Sequence, residues 1–124
     1  MKDQILIFDK NFKEIGEIII SDKIKNLETP QHHINDILVV DDYLYVSMFS
    51  LSGNHKKGIY DGGVLEIDIN KKKINSQIFL NLTMPHSIKF FNGNFHVLDS
   101  YKGKLFSGNN IIGDFGGFSR GLDY

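Results

Sequence analysis

Short apolar stretches, separated by turn-forming residues, run along the whole chain. They form five pairs, and the gap within each pair is rich in Asn, Asp, Gly or Lys, residues that favour tight hairpin turns. Apolar and polar residues alternate over residues 64–69, as in a strand with one buried face. The pattern therefore predicts antiparallel hairpins. The predicted strands are residues 5–8, 14–20, 37–40, 43–49, 64–69, 74–80, 88–91, 95–98, 104–106 and 111–115.

Two of the predicted turns occupy equivalent places in two similar stretches of sequence. Asp41 and Asn92, which begin these turns, are 51 residues apart. At the same offset Asn35 falls on His86, and we place the start of a third copy at Arg120. Each of the two full copies contains four predicted strands, whereas the polar residues 21–31 form a connection. The chain is therefore predicted to contain an internal repeat.

Four-stranded antiparallel units of about 40–50 residues in series are typical of a β-propeller, with a sandwich or barrel as the alternative. We expect an all-β chain that forms one partial propeller domain over residues 1–124. Its predicted parts are the outer half of a blade (residues 1–20), two full blades (31–80 and 84–117) and the start of the next blade (118–124).

A blade count of about two and a half conflicts with the ~4–8 blades that close a propeller. Repeat units bury their core only against neighbours, so the outermost apolar faces of this chain would lack cover. We therefore expect a fragment of a longer chain, a truncated reading frame, or one protomer of a self-associating assembly.

Charge and composition narrow the classes of function. The formal net charge is −1, which provides no general basic field for nucleic acid or for an anionic membrane. There is no cysteine, so disulfides, thiolate nucleophiles and Cys-based zinc sites are excluded. Apolar stretches are too short for a secretory signal or a membrane span, so we expect a cytoplasmic protein.

Candidate functional residues are predicted to meet at one face of the blades. In an up-and-down blade, the start of the innermost strand and the loop after the second strand lie at the same end. Asn35, His86 and Arg120 occupy the first of these positions, and the long loop of residues 50–62 adds His55. Long loops on a rigid scaffold are common places for binding sites. These four residues are the predicted ligand-binding set.

Residues on this face are also candidates for metal binding and for acid–base catalysis. His33, Asn35 and Asp36 combine imidazole, amide oxygen and carboxylate, which together suit a divalent cation. His86 is the candidate catalytic residue, because an imidazole titrates near neutral pH. The alternative is that these side chains hydrogen-bond neighbouring loops and hold the blades together. No nucleophile-elbow motif supports serine catalysis.

Several stretches together carry a resemblance to a known family. They are residues 33–36, 44–49, 62–68, 84–87, 97–100 with 103–105, and 117–122, in that order. The chain thereby resembles an uncharacterised bacterial family, a domain of unknown function with propeller-like repeats. The resemblance implies a propeller within a much longer chain and no established activity. Ile88 departs from the pattern, which has proline at that position.

A looser resemblance links Pro85-His86 and Asn35-Asp36 to six-bladed lactonase and lyase propellers. The metal-binding acidic residue of those enzymes has no counterpart in residues 1–30, so their activity is not carried over. The preferred hypothesis is a propeller that binds a small polar ligand or a protein partner. The alternatives are a metal-assisted hydrolase or lyase and a truncated product without independent function.

Overall fold

The computed structural model describes residues 3–21 and 31–124, and β-strands form most of the regular structure there. The strands are β1 (Gln4–Phe8), β2 (Glu14–Ile19), β3 (Ile34–Val40), β4 (Tyr43–Met48), β5 (Gly62–Asp68), β6 (Lys73–Leu82), β7 (Pro85–Phe91), β8 (Asn94–Asp99), β9 (Lys104–Ser107) and β10 (Asn110–Asp114), with a 3-10 helix at His55–Lys57. Each predicted strand has a counterpart, so the all-β prediction is confirmed. The predicted connection falls largely on residues 22–30, outside the described residues.

The strands form three antiparallel sheets. The hairpin sheet is β1–β2, the first four-stranded sheet has the order β3-β4-β5-β6, and the second has the order β7-β8-β9-β10. Every neighbour in a sheet is also the neighbour in the chain, as short hairpin turns require. The described strands form open sheets without a closed ring, so the propeller stays a prediction. Between residues 3 and 124, apart from 22–30, no helix has the length and apolar character to span a bilayer.

The first four-stranded sheet is the middle layer of three, because its central strands bury both faces. Val46 and Ile67 pack on one face against Ile18 of the hairpin sheet. Val64 packs on the other face against Val97 of the second sheet. These five side chains are almost completely buried, and each contributes about 1.5–3 kcal/mol through burial. Adjacent residues of β4 and of β5 are buried on opposite faces, so β5 does not have the single buried face that its alternation predicted.

The two four-stranded sheets share unusual backbone details. His33 and Met84, 51 residues apart, both have φ of 54°. Asp41 and Asn92, also 51 residues apart, have φ of 51° and 49°. Left-handed backbone is costly for most residues and tolerated best by Asn and Asp, which explains the turn residues at the second pair of positions.

β3 and β7 both begin three residues before their predicted starts. A change of register lies between Ile34 and Asp36 in β3, and another between His86 and Lys89 in β7. A bulge of this kind admits polar residues into a strand and redirects their side chains. Asn35, Asp36 and His86 therefore lie within strands rather than ahead of them.

Candidate functional site

Six aromatic and imidazole rings form a continuous row beside the start of β3 and the start of β7. Centroid distances between neighbours are 5.7 Å for Tyr60–His55, 4.6 Å for His55–His33, 4.2 Å for His33–Phe49, 5.3 Å for Phe49–His86 and 5.6 Å for His86–Phe118. We call these six residues, with Arg120 at the end, the ring row. It brings together both four-stranded sheets and the segment after β10. Four of the predicted site residues, His33, His55, His86 and Arg120, belong to it.

The loop after β4 places His55 beside His33 because hydrogen bonds brace it. Ser50 Oγ donates to Asp61 Oδ1 at 2.6 Å and accepts from the Asn54 amide at 3.0 Å. Burial acts to raise the pKa of Asp61, but hydrogen bonds from serines outweigh it, and the pKa is lowered. The carboxylate is therefore charged at neutral pH and holds the two ends of the loop together.

His86 carries its proton on Nδ1. This nitrogen lies 3.0 Å from the Met84 carbonyl oxygen and 2.8 Å from Ser100 Oγ. Since a carbonyl oxygen only accepts hydrogen bonds, Nδ1 is the donor, and Nε2 keeps its lone pair. The neutral ring can therefore accept a hydrogen bond or a proton at Nε2, as its predicted acid–base role requires.

Contacts of both its backbone and its side chain hold Arg120 at the end of the ring row. The Arg120 carbonyl oxygen accepts a hydrogen bond from Ser87 Oγ at 2.6 Å. Its guanidinium carbon lies 5.2 Å from the centroid of Phe118, within the range of a cation–π contact. The predicted placement of Arg120 with His86 is thus seen in the structure, and the guanidinium stands at the end of the row.

The three imidazoles of the row hold their neutral form. Burial is the largest cause that lowers the pKa of His33, His55 and His86 from the ordinary 6.5. Repulsion from neighbouring imidazoles lowers the pKa of His33 further, Lys56 acts on His55, and Arg120 acts on His86. At pH 7 the row therefore presents neutral rings with a cation at one end.

The lowered pKa values predict that acid destabilises the fold. Between the folded pKa values and 6.5, the unfolded chain binds more protons, so stability is complete above pH 6.5 and falls as the pH decreases below it. Urea midpoints followed by circular dichroism should decrease from pH 7.5 to about 5.5, where carboxyls with unfolded pKa values near 4 remain ionised. The His55→Asn variant should show a weaker pH dependence. Equal midpoints across this range would contradict the prediction.

Asn35 and Asp36 take part in hydrogen bonds that support the fold. Asp36 Oδ2 accepts from the Ile88 amide at 3.0 Å and so ties β3 to β7. Asn35 Oδ1 accepts from Ser47 Oγ at 2.7 Å. This is the alternative role considered for these side chains, and it occupies oxygens that a cation would need.

Backbone amides donate hydrogen bonds to both carboxylate oxygens of Asp36, a member of the predicted metal set His33, Asn35 and Asp36. Across residues 3–21 and 31–124, no group of three His, Cys, Asp or Glu side chains is arranged to hold a metal ion. The second Asp36 oxygen, Oδ1, accepts from the Ile37 amide at 2.9 Å. Metal binding here stays a prediction.

A second polar cluster was not anticipated from the sequence. His96 is 6% exposed, its Nε2 lies 2.8 Å from Ser107 Oγ, and its Nδ1 is hydrogen-bonded to the Tyr124 hydroxyl. The Tyr124 ring stacks on Phe91 with a centroid distance of 4.3 Å. These contacts hold the end of the described chain against the second sheet. No local pattern indicates them, because the partners lie far apart in sequence.

A separate groove of about 460 Å³ lies between β6 and the β9–β10 hairpin. Apolar side chains including Ile78, Phe106 and Ile111 form part of its wall. Lys102 also lines it, and its ammonium is paired with the buried Asp99 at 3.2 Å. None of the predicted site residues lines this groove, so the groove is separate from the ring row.

No family model, curated protein or solved structure matches this chain. The resemblance to the bacterial propeller-like family consequently stays a prediction. Evidence for a function therefore comes from the geometry of the ring row.

Proposed function

We propose that this chain is part of a propeller-type repeat protein and binds a small polar ligand at the ring row. The observation that carries the proposal is the meeting of Phe49, His86 and Phe118, from three separate parts of the chain. Ring faces provide apolar contact area, whereas imidazole nitrogens and a guanidinium provide directional hydrogen bonds. Binding sites for small molecules commonly combine aromatic walls with a few polar groups.

Backbone hydrogen bonds support the repeat component of the proposal. The Ser50 amide donates to the His32 carbonyl at 3.1 Å, and 51 residues later the Tyr101 amide donates to the Thr83 carbonyl at 3.2 Å. Both bonds close the end of a sheet beside the ring row. Two units that share strand order, turn backbone and closing hydrogen bonds are consistent with consecutive propeller blades.

Contacts between successive units give further support. In the first unit, Asp36 accepts a hydrogen bond from the Ile88 amide of the second unit. In the second unit, Ser87 occupies the equivalent position and donates to the carbonyl of Arg120, at the proposed start of a third. A polar side chain thus links each unit to the next one at the same point in the sequence. Face-to-face stacking of this kind is how repeat units bury their core.

The ligand chemistry follows from the side chains of the row. A sugar or similar ring can lay its apolar face on Phe118, which is 45% exposed, and direct hydroxyls to the imidazole nitrogens. His86 Nε2 accepts a hydrogen bond, and the Arg120 guanidinium donates several in one plane. We therefore expect binding of a polar ring-shaped molecule.

Histidine NMR resonances provide the test of this proposal. The Cε1–H signals of His33 and His86 should shift when galactose or galacturonate is added to about 20 mM, enough to detect millimolar affinity. The Phe118→Leu variant keeps apolar volume but removes an exposed ring of the row, and it should weaken binding about fivefold, a change worth about 1 kcal/mol. Phe90→Leu is the matched control, because Phe90 lies on β7 outside the ring row. If galactose, galacturonate and inorganic phosphate all fail to move these signals, the proposed function is wrong.

A further inference from the structure

We infer that the ligand of the ring row is a small oxyanion, a carboxylate or a phosphate, bound by Arg120 and the adjacent imidazoles. This inference rests on the proposed binding function and specifies its chemical class. Arg120 is the only arginine in the sequence. Its planar guanidinium suits the two oxygens of a carboxylate or phosphate better than a lysine ammonium does.

The guanidinium of Arg120 has no carboxylate partner among the residues that the structure describes. The ion pairs found there join Lys71, Lys102 and Lys104 to aspartates. The guanidinium of Arg120 instead lies over the ring of Phe118, and Arg120 is exposed to solvent. An exposed guanidinium at the end of an aromatic row, without an ion pair among the described residues, is suited to an anion from outside.

The carboxylates nearest the row are directed to other donors. Asp3, Asp36 and Asp61 are the acidic residues that approach the row from the hairpin sheet, from β3 and from the long loop. Each accepts hydrogen bonds from amides or hydroxyls, and none forms an ion pair with Arg120 among the described residues. The donors are the Gln31 and His32 amides for Asp3, the Ile37 and Ile88 amides for Asp36, and Ser50 Oγ and the Ser52 amide for Asp61.

An oxyanion would also change the protonation of the imidazoles. A negative charge beside His33 and His86 favours their protonated forms, which burial otherwise disfavours. Binding would therefore take up protons, and affinity would rise as the pH falls below 6.5. The groups that face these imidazoles are His55, Lys56 and Arg120, which oppose protonation, and Asp3 and Asp36, which favour it.

Parallel titrations of the full chain test the inference and separate it from the proposed function. The probes are galacturonate, its neutral counterpart galactose, and inorganic phosphate, each followed by histidine Cε1–H shifts at pH 6.0 and 7.5. Galacturonate should bind about tenfold more tightly than galactose, and more tightly at pH 6.0 than at pH 7.5. If phosphate is the tighter of the two anions, the natural oxyanion is assigned as a phosphate. The opposite order assigns a carboxylate.

Arg120→Gln provides the matched variant, because it removes the charge at an exposed position and leaves the core intact. It should lower galacturonate affinity about tenfold and galactose affinity by a much smaller factor, because the amide of Gln still donates hydrogen bonds but carries no charge. Lys73→Gln, which removes an exposed cation at the start of β6, outside the ring row, should alter neither. Equal affinity for galacturonate and galactose would overturn the oxyanion inference and leave the proposed function standing. If none of the probes binds, both are wrong.

Discussion

Gly63→Ala should destabilise the protein by about 3 kcal/mol or more, because the site has no room for a methyl group. Gly63 lies in β5, where an added Cβ would be far inside van der Waals contact of the Phe79 carbonyl oxygen and 2.7 Å from Leu51 Cδ1. The oxygen belongs to the adjacent strand β6, so it can move only if the pairing of β5 with β6 is disturbed. The urea midpoint, followed by circular dichroism, should decrease accordingly.

Gly116→Ala is the control for this prediction. No atom lies within 4 Å of the Cβ that it would introduce, and the backbone there does not have the left-handed φ that favours glycine. Its free energy of unfolding should therefore change by no more than about 0.5 kcal/mol. If the two variants have the same midpoint, the close packing of β5 against β6 is wrong.

Ile18→Ala should lower the free energy of unfolding by about 2–5 kcal/mol. Ile18 is 2% exposed and belongs to the apolar core between the hairpin sheet and the first four-stranded sheet. Truncation leaves a cavity that the two sheets cannot close without moving toward each other. Unfolding in urea measures the loss, and amide hydrogen exchange should show faster exchange in β1 and β2.

Ile19→Ala is the matched control on the same strand. Ile19 is 51% exposed and points away from the first four-stranded sheet. The same chemical change should therefore have a much smaller effect, within about 0.5 kcal/mol. A loss as large as that of Ile18→Ala would show that the hairpin sheet does not pack in this orientation.

The ring row depends on a different packing contact, the one between the two four-stranded sheets. Phe49 and His55 follow β4, and His86 lies in β7, so their contact requires the first and second four-stranded sheets to pack face to face. Variants that weaken the stacking should therefore also disturb the row. The binding tests are accordingly based on exposed or volume-conserving substitutions.

The strands and turns were predictable because their signals are local. Period-two alternation and Asn, Asp or Gly at turns depend on neighbouring residues alone, and all ten predicted strands are present. The bulged starts of β3 and β7 were not predictable, since Asn35, Asp36 and His86 are polar residues of the kind found in loops. Only the pairing with β4 and β8 shows that they belong to strands.

The candidate site was predictable in part. Placing His86 and Arg120 at equivalent positions of consecutive units correctly brought them together, and the long loop correctly brought His55 to the same face. The aromatic members Phe49, Tyr60 and Phe118 were not anticipated, because phenylalanine and tyrosine are common core residues in such sequences. Their part in the row depends on the packing of three separate segments.

The sequence by itself determined the all-β class, the strand order along the chain and the candidate polar side chains, because these depend on local pattern and residue type. The tertiary structure decided which of those residues form hydrogen bonds that stabilise the fold and which lie together in the ring row. Asp36 and His33 are close neighbours in sequence, yet Asp36 binds the Ile88 amide and His33 stacks on Phe49. The physical reason is that register and sheet stacking bring distant donors and rings to each side chain, and these contacts have no local signature.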